Sequence, residues 1–318
     1  MPRQHKKQDD LETLRELSVS PLEQRAYAVK LLRARKNAVI VTHALRTLSD
    51  LPPDLGLRQL ILDTYAYYDQ DGVKRDAGSA VRAAALQALD PIVHPDDLPL
   101  LERAMFTYER IPPYFSEEAG LLRAAGLVVT AHLSPQLAAY HAARLLSEPI
   151  EVLAGEPHLT AIKVLAGQNM YVPIYTYAAQ TTIGKAEPLG EALRRLVEIP
   201  ATLVRGLYEK YRETPSDIVL VGLYDLLIGH AESAQFMPQI ADFLANTGNI
   251  PALQYVATAL IASRRDDLIE LVTDAYKRAL STNAEARRLA ALKEPLTLLA
   301  THPLVAPLLK PNKSTPQS

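Results

Sequence analysis

Apolar residues recur along the chain in seven alanine-rich stretches, each with the spacing of one helix face. The clearest runs from Ser79 to Leu89 and reads SAVRAAALQAL; others begin at Gln24, Leu121, Leu159, Ile218, Leu253 and Arg287. Between them lie helix starts with a physical mechanism. In Ser20-Pro21-Leu22-Glu23 a hydroxyl precedes a proline at the first helical position and a carboxylate two residues on. Thr214-Pro215-Ser216-Asp217 repeats that logic, and Ser134-Pro135, His94-Pro95, Glu156-Pro157 and His302-Pro303 mark further starts. Clusters such as Val39–Val41 and Ile218–Val221 lie inside longer helical stripes and are read as buried helix rather than strand. Helical units repeating at roughly 34–41 residues predict an all-α stack, an α-solenoid, of about sixteen to eighteen helices.

The repeat lengthens in two places. One holds the charged, glycine-containing segment Asp69–Ser79, the other Gln180–Pro188. Insertions in stacked arrays tend to fall on one face, often the functional one. The expected organisation is one continuous array over residues 10–309. The polar ends, 1–9 and 310–318, are expected to be disordered.

Composition narrows the function classes. Of 318 residues 48% are hydrophobic and 22% charged, the balance of a folded protein, and the formal net charge is -2. A polyanion binder carries a strong positive excess, so nucleic acid is not the expected partner. The chain has no cysteine, which removes disulfides, thiolate metal sites and cysteine nucleophiles. The polar start and the shortness of the apolar runs predict neither a signal peptide nor a membrane span, and a cytoplasmic location is expected. Aromatic usage is skewed, with 15 Tyr, 4 Phe and no Trp. Tyrosine suits half-buried margins and recognition surfaces.

Asp76, then Val81-Arg82, then Ala84, Ala85, Leu86 and Leu89 along one helix, with Ile92-Val93 closing it and Asp97-Leu98-Pro99-Leu100-Leu101 opening the next, resemble a HEAT repeat. The resemblance implies a right-handed α-α superhelix. It also implies a ladder in which the Asp and the Arg six residues apart pair with neighbouring units. Glu117 and Arg123 keep that spacing; Thr160, Val219 and Gln254 stand where other units would have arginine. The resemblance implies no reaction.

No phosphate-binding loop, dinucleotide fingerprint or nucleophile elbow occurs, and none of the eight histidines falls in a zinc-protease spacing. No catalytic residue, cofactor or metal is therefore predicted. The acidic pairs Asp96-Asp97 and Glu117-Glu118 are read as first-turn residues that complement helix dipoles. The basic run from Arg25 to Arg46 is read the same way at a helix C-terminus, with a phosphate backbone as the alternative. Residues 157–186 contain one acid-free, tyrosine-rich stretch suited to a binding surface. The expected function is a non-catalytic scaffold or adaptor that binds a protein or peptide on its concave face. The candidate contacts are Tyr65, Tyr68, Arg82, Arg123, Tyr171 and Tyr175. Two alternatives come from the same family: a HEAT-like DNA-binding protein or alkylpurine DNA glycosylase, and a bilin lyase.

Overall fold

The alanine-rich stretches are helices, and each is hemmed in on several sides. In a computed structural model, residues 10–35, 37–113, 116–148, 155–181 and 185–309 are described. The ends 1–9 and 310–318, expected to be disordered, lie outside these residues, as do 182–184 of the second insertion. The fold is all-α. The chain divides into two compact units, Met1–Pro173 and Ile174–Ser318, where the sequence suggested a single array.

The first unit carries α1 (Pro21–Ala34), α2 (Ala38–Asp50), α3 (Arg58–Asp69), α4 (Ala80–Leu89), α5 (Leu98–Met105), α6 (Gly120–Leu133), α7 (Pro135–Leu146) and α8 (His158–Gly167). The unit boundary falls inside α9 (Tyr171–Gln180). The second unit carries α10 (Ala186–Arg194), α11 (Ala201–Tyr211), α12 (Asp217–Gly229), α13 (Met237–Asn246), α14 (Ile250–Ala262), α15 (Asp266–Ser281) and α16 (Ala286–Thr297). Several predicted starts fall where expected: α1 begins at Pro21, and Ser134 Oγ accepts the Leu137 N–H at the head of α7. Thr214-Pro215 is two residues early, because Ser216 is the residue that caps α12. His302-Pro303 opens no helix; the next one starts at Ala306.

Packing follows one rule in each unit. In the first, α2 lies beside α4, α4 beside α6, and α6 beside α8, while α1, α3, α5 and α7 back this row. In the second, α10, α12, α14 and α16 form the equivalent row. A row helix has a neighbour on each flank and others behind, so it must be apolar around most of its circumference. Eight of the ten residues of α4 are buried, Arg82 among them. Small residues set how closely the row packs. A Cβ on Gly222 of α12 would run into the Gly190 backbone of α10, and one on Gly190 would lie 2.7 Å from the Ile218 carbonyl oxygen.

A chain of buried charges fixes α4 and α6. After α3 the backbone makes a short turn, Gly72–Arg75, and returns through Asp76, which is buried. The Asp76 carboxylate accepts the N–H groups of Val81 and Arg82, at 2.8 and 3.0 Å, where the N-terminus of α4 has no helical acceptors. It also accepts Arg82 Nε at 3.1 Å. The two terminal nitrogens of Arg82 grip Glu109, each at 2.7 Å, and one lies 3.4 Å from Asp69 Oδ1. Burial opposes the Arg82 charge, but hydrogen bonds from Glu109 and Asp76 outweigh it and raise its pKa. Gly72 sits against this pair: a methyl group there would overlap the Glu109 carboxylate.

Glu109 carries the chain of contacts onward. Its N–H donates to Glu117 Oε1 at 3.2 Å, and Glu117 pairs with Arg123, whose Nη1 donates to the Thr107 carbonyl at 2.8 Å. Glu117 is thus no first-turn residue of α6. It lies in a two-residue hairpin, β1 (Arg110–Ile111) against β2 (Ser116–Glu117), and is buried because Arg123 claims it. Burial alone would raise its carboxyl pKa. The Arg123 hydrogen bond and charge, with the Ala119 and Glu109 N–H groups, hold it below the usual carboxylate range.

Basic side chains also close helix ends one unit back. Arg144 of α7 donates to the Met105 carbonyl at the end of α5, 2.9 Å. Arg288 of α16 donates to Leu244 and Thr247 carbonyls, at 2.5 Å each, at the end of α13. Lys210 reaches the Ala179 and Thr181 carbonyls at 2.6 and 2.9 Å. Each supplies a cation to carbonyls that the helix leaves without donors.

Four variants test the packing and the buried pairs. Gly222→Ala should destabilise the second unit by about 1–3 kcal/mol through overpacking against Gly190. Gly206→Ala, in α11 with nothing within 4 Å of an added Cβ, should stabilise by about 0.5–1 kcal/mol; urea melts of the two variants check the contrast. Arg82→Ala should cost about 3–5 kcal/mol, since it leaves buried carboxylates unpaired, read as a fall in the denaturation midpoint. Because the folded-state pKa of Glu117 is depressed, its contribution is complete above about pH 4.3 and is lost as pH falls through the lower folded-state value. The stability lead of wild type over Glu117→Gln should therefore shrink on acidification through that window; a constant lead would contradict the assignment.

Candidate functional site

Four of the six candidate contacts point inward. Arg82 and Arg123 are 1% and 3% exposed and are committed to the carboxylates described above. Tyr65 and Tyr68 are 2% and 3% exposed. Burial, with Asp69 nearby, pushes the Tyr65 hydroxyl pKa up, and its oxygen has no hydrogen-bond partner. Tyr68 meets the neighbouring Tyr67 ring edge-on at 5.1 Å, and the Arg35 and Arg75 guanidinia lie over that ring. These side chains hold helices together and present nothing to a partner. The sequence reading missed this because an arginine or tyrosine at a helical position has the same spacing whether it faces a carboxylate or solvent.

Tyr171 and Tyr175 are half-buried on α9, and Tyr171 donates its hydroxyl to Asn169 at 3.0 Å. The basic run is largely spent locally. Arg25 donates to the Pro52 carbonyl at 2.5 Å and Lys30 lies over the Tyr27 ring. The insertion Asp69–Ser79 is structural: it delivers Asp69 and Asp76 to Arg82.

A trough runs across the row of the first unit, with a cavity of about 320 Å³; a smaller cavity of about 220 Å³ lies among Leu14, Gln24 and His43. The floor of the trough is short. Ala83 and Ala84 of α4, and Ala124 and Ala125 of α6, stand at the same two positions of successive helices. A methyl group at each leaves space between the backbones that a leucine would fill. The wall is apolar and open to solvent, since Leu121 and Val128 are 45% and 38% exposed. The rim is polar. Arg46 and Ser49 stand on the α2 side, Gln87 and Asp90 at α4, and Glu156 and Thr160 at α8. Asp90 Oδ1 lies 2.6 Å from His132 Nδ1, and Glu156 Oε2 accepts the Thr160 N–H at 3.1 Å. Among the described residues, Arg46 makes no ion pair and the Gln87 side chain no hydrogen bond.

The row of the second unit treats its polar groups differently. Arg194 donates to Asp225 at 2.7 Å, Asp225 accepts the Tyr255 hydroxyl at 3.3 Å, and Gln254 donates to Glu294 at 2.7 Å. Its polar groups bind one another across α10, α12, α14 and α16; around the trough Ser49 donates to the Gln87 backbone carbonyl at 3.5 Å and Asp90 meets His132, while Arg46 and the Gln87 side chain keep their bonding capacity. The signal in the sequence was the pair of adjacent alanines recurring in consecutive units.

A second exposed cluster, Phe106 and Tyr108 after α5, has one ring face of each residue met by an arginine. Arg144 lies 4.0 Å over the Phe106 ring and Arg123 4.4 Å over that of Tyr108, whose hydroxyl donates to Glu148. Burial lowers the pKa of His141, which packs edge-on against Phe106. Among the described residues no group of three His, Asp or Glu side chains is placed to hold a metal ion, and no helix is long and apolar enough to cross a membrane. No protein-family model, curated protein or solved structure matches this chain.

Proposed function

We propose that this chain is a HEAT-like α-solenoid scaffold that holds another polypeptide in the trough across α2, α4, α6 and α8. The observation that carries the reading is the trough itself: a floor of paired alanines, exposed apolar walls, and rim groups with unspent hydrogen-bonding capacity. Recognition surfaces combine these elements, with an apolar centre that excludes water and a polar rim that fixes register. Within each compact unit, the side-by-side order of the row helices supports the solenoid, since each row helix touches chiefly the row helices beside it and those behind it. In that reading the row is the inner, concave layer of a right-handed superhelix. The trough's charges, Arg46 with Asp90 and Glu156 at other points of the rim, do not favour a phosphate backbone, which needs a basic surface. The glycosylase alternative therefore gains nothing from this site.

The test compares variants rather than asking whether anything binds. Val128→Glu puts a charge on an exposed wall position without touching the buried core. A polypeptide retained by the wild-type chain should be retained at least about tenfold less by Val128→Glu, the loss expected for one disrupted central contact. It should be retained unchanged by Tyr140→Ser, a 69% exposed position on α7. Equal retention by all three proteins, with matching thermal melts, would remove the trough from consideration.

A further inference from the structure

The rim charges of the trough are arranged in order along the row, and that order constrains what lies in it. Arg46 stands on α2 at one side, the alanine floor on α4 and α6 in the middle, and Glu156 before α8 at the other. Arg46 is exposed and makes no ion pair among the described residues. Glu156 commits Oε2 to the Thr160 N–H and makes no ion pair among them either. Gln87 lies between the two; its backbone carbonyl accepts from Ser49, and its side-chain NH2 and Oε1 make no hydrogen bond among the described residues. Asp90 stands at the end of α4, nearer the Arg46 side, and its Oδ1 is engaged by His132 Nδ1 at 2.6 Å.

The shape limits the conformation of the occupant. An α-helix with its side chains is about 10–12 Å across, whereas the rim groups of the trough are spread over four successive row helices. An extended chain is narrower, and its alternate side chains point the same way. Crossing from α2 to α8 covers three interhelical spacings of about 8–10 Å each. At ~3.3 Å per residue that is about seven to nine residues. An extended strand across the row also brings backbone amides past Gln87, whose side chain both donates and accepts.

Resting on the binding role proposed above, we infer that the trough takes an extended peptide segment of another protein, acidic at the Arg46 end, basic at the Glu156 end, and small and apolar between them. The middle side chains lie over Ala84, Ala124 and Ala125, against Leu121 and Val128. Valine, alanine or serine fits such a floor; an aromatic ring does not. The opposed end charges fix the direction in which the segment lies, because reversing it places like charges together at both ends.

A phage-displayed library of random dodecapeptides, selected on the whole wild-type chain, tests this. The selected sequences should carry Asp or Glu and Lys or Arg on opposite sides of a small apolar centre, always in one order. A synthetic peptide of the selected sequence should bind Arg46→Glu about three- to tenfold more weakly than wild type, and the deficit should grow as ionic strength falls. Replacing the peptide's acidic residue with Lys should restore binding to Arg46→Glu. Glu156→Gln, which keeps an oxygen for the Thr160 N–H, should weaken binding through the basic end alone. Peptides displaced by Val128→Glu but lacking the charge order would overturn this inference and leave the trough as the binding site. Peptides indifferent to Val128→Glu, or no selection at all, would overturn both.

Discussion

A guanidinium that is 1% exposed has no water to carry its charge, so Arg82 depends wholly on what surrounds it. Asp76 reaches it from the same unit, and Glu109 arrives from beyond α5. Neither carboxylate can leave without stranding a buried charge, and the loops that hold them are fixed by that constraint. The same Asp76 closes the N-terminus of α4, and Glu109 passes its N–H to Glu117, which holds Arg123 in α6. The two helices that form the alanine floor are therefore set in register by charge, while their flanks are set by apolar contact. A purely apolar stack of such uniform alanine faces has little to oppose sliding; the buried pairs supply a single register.

Small residues do the rest of the positioning in both units. In the second unit Gly190 and Gly222 bring two backbones into direct contact, and the surface above is spanned by paired polar groups. In the first unit Ala83, Ala84, Ala124 and Ala125 stand along the floor of the trough.

Helical character and the position of the row helices were legible in the sequence, because a helix enclosed on several sides must be alanine-rich and apolar around most of its circumference. The Asp76–Arg82 and Glu117–Arg123 spacings were legible too, and both pairs form. Their burial was not. Glu109 lies 27 residues from Arg82 in the chain, and no local pattern announces that a loop carboxylate will meet it. The same blindness placed Tyr65 and Tyr68 on a binding surface when they are core residues. Arg46 went the other way. It was read within a basic run at a helix end, and only the neighbours in space show it standing at the rim of the trough with its charge unmatched.

The cationic closure of helix ends has a consequence for how the chain is made. The carbonyls that end α5 are met by Arg144, 39 positions later for Met105, and those that end α13 by Arg288, 41 positions later for Thr247. During synthesis the end of each such helix emerges from the ribosome well before the side chain that completes it. At ~5–20 residues per second, a helix waits some seconds with its last turn open to solvent. A chain that ends before Arg144 or Arg288 leaves the last carbonyls of α5 or α13 without the cation that meets them.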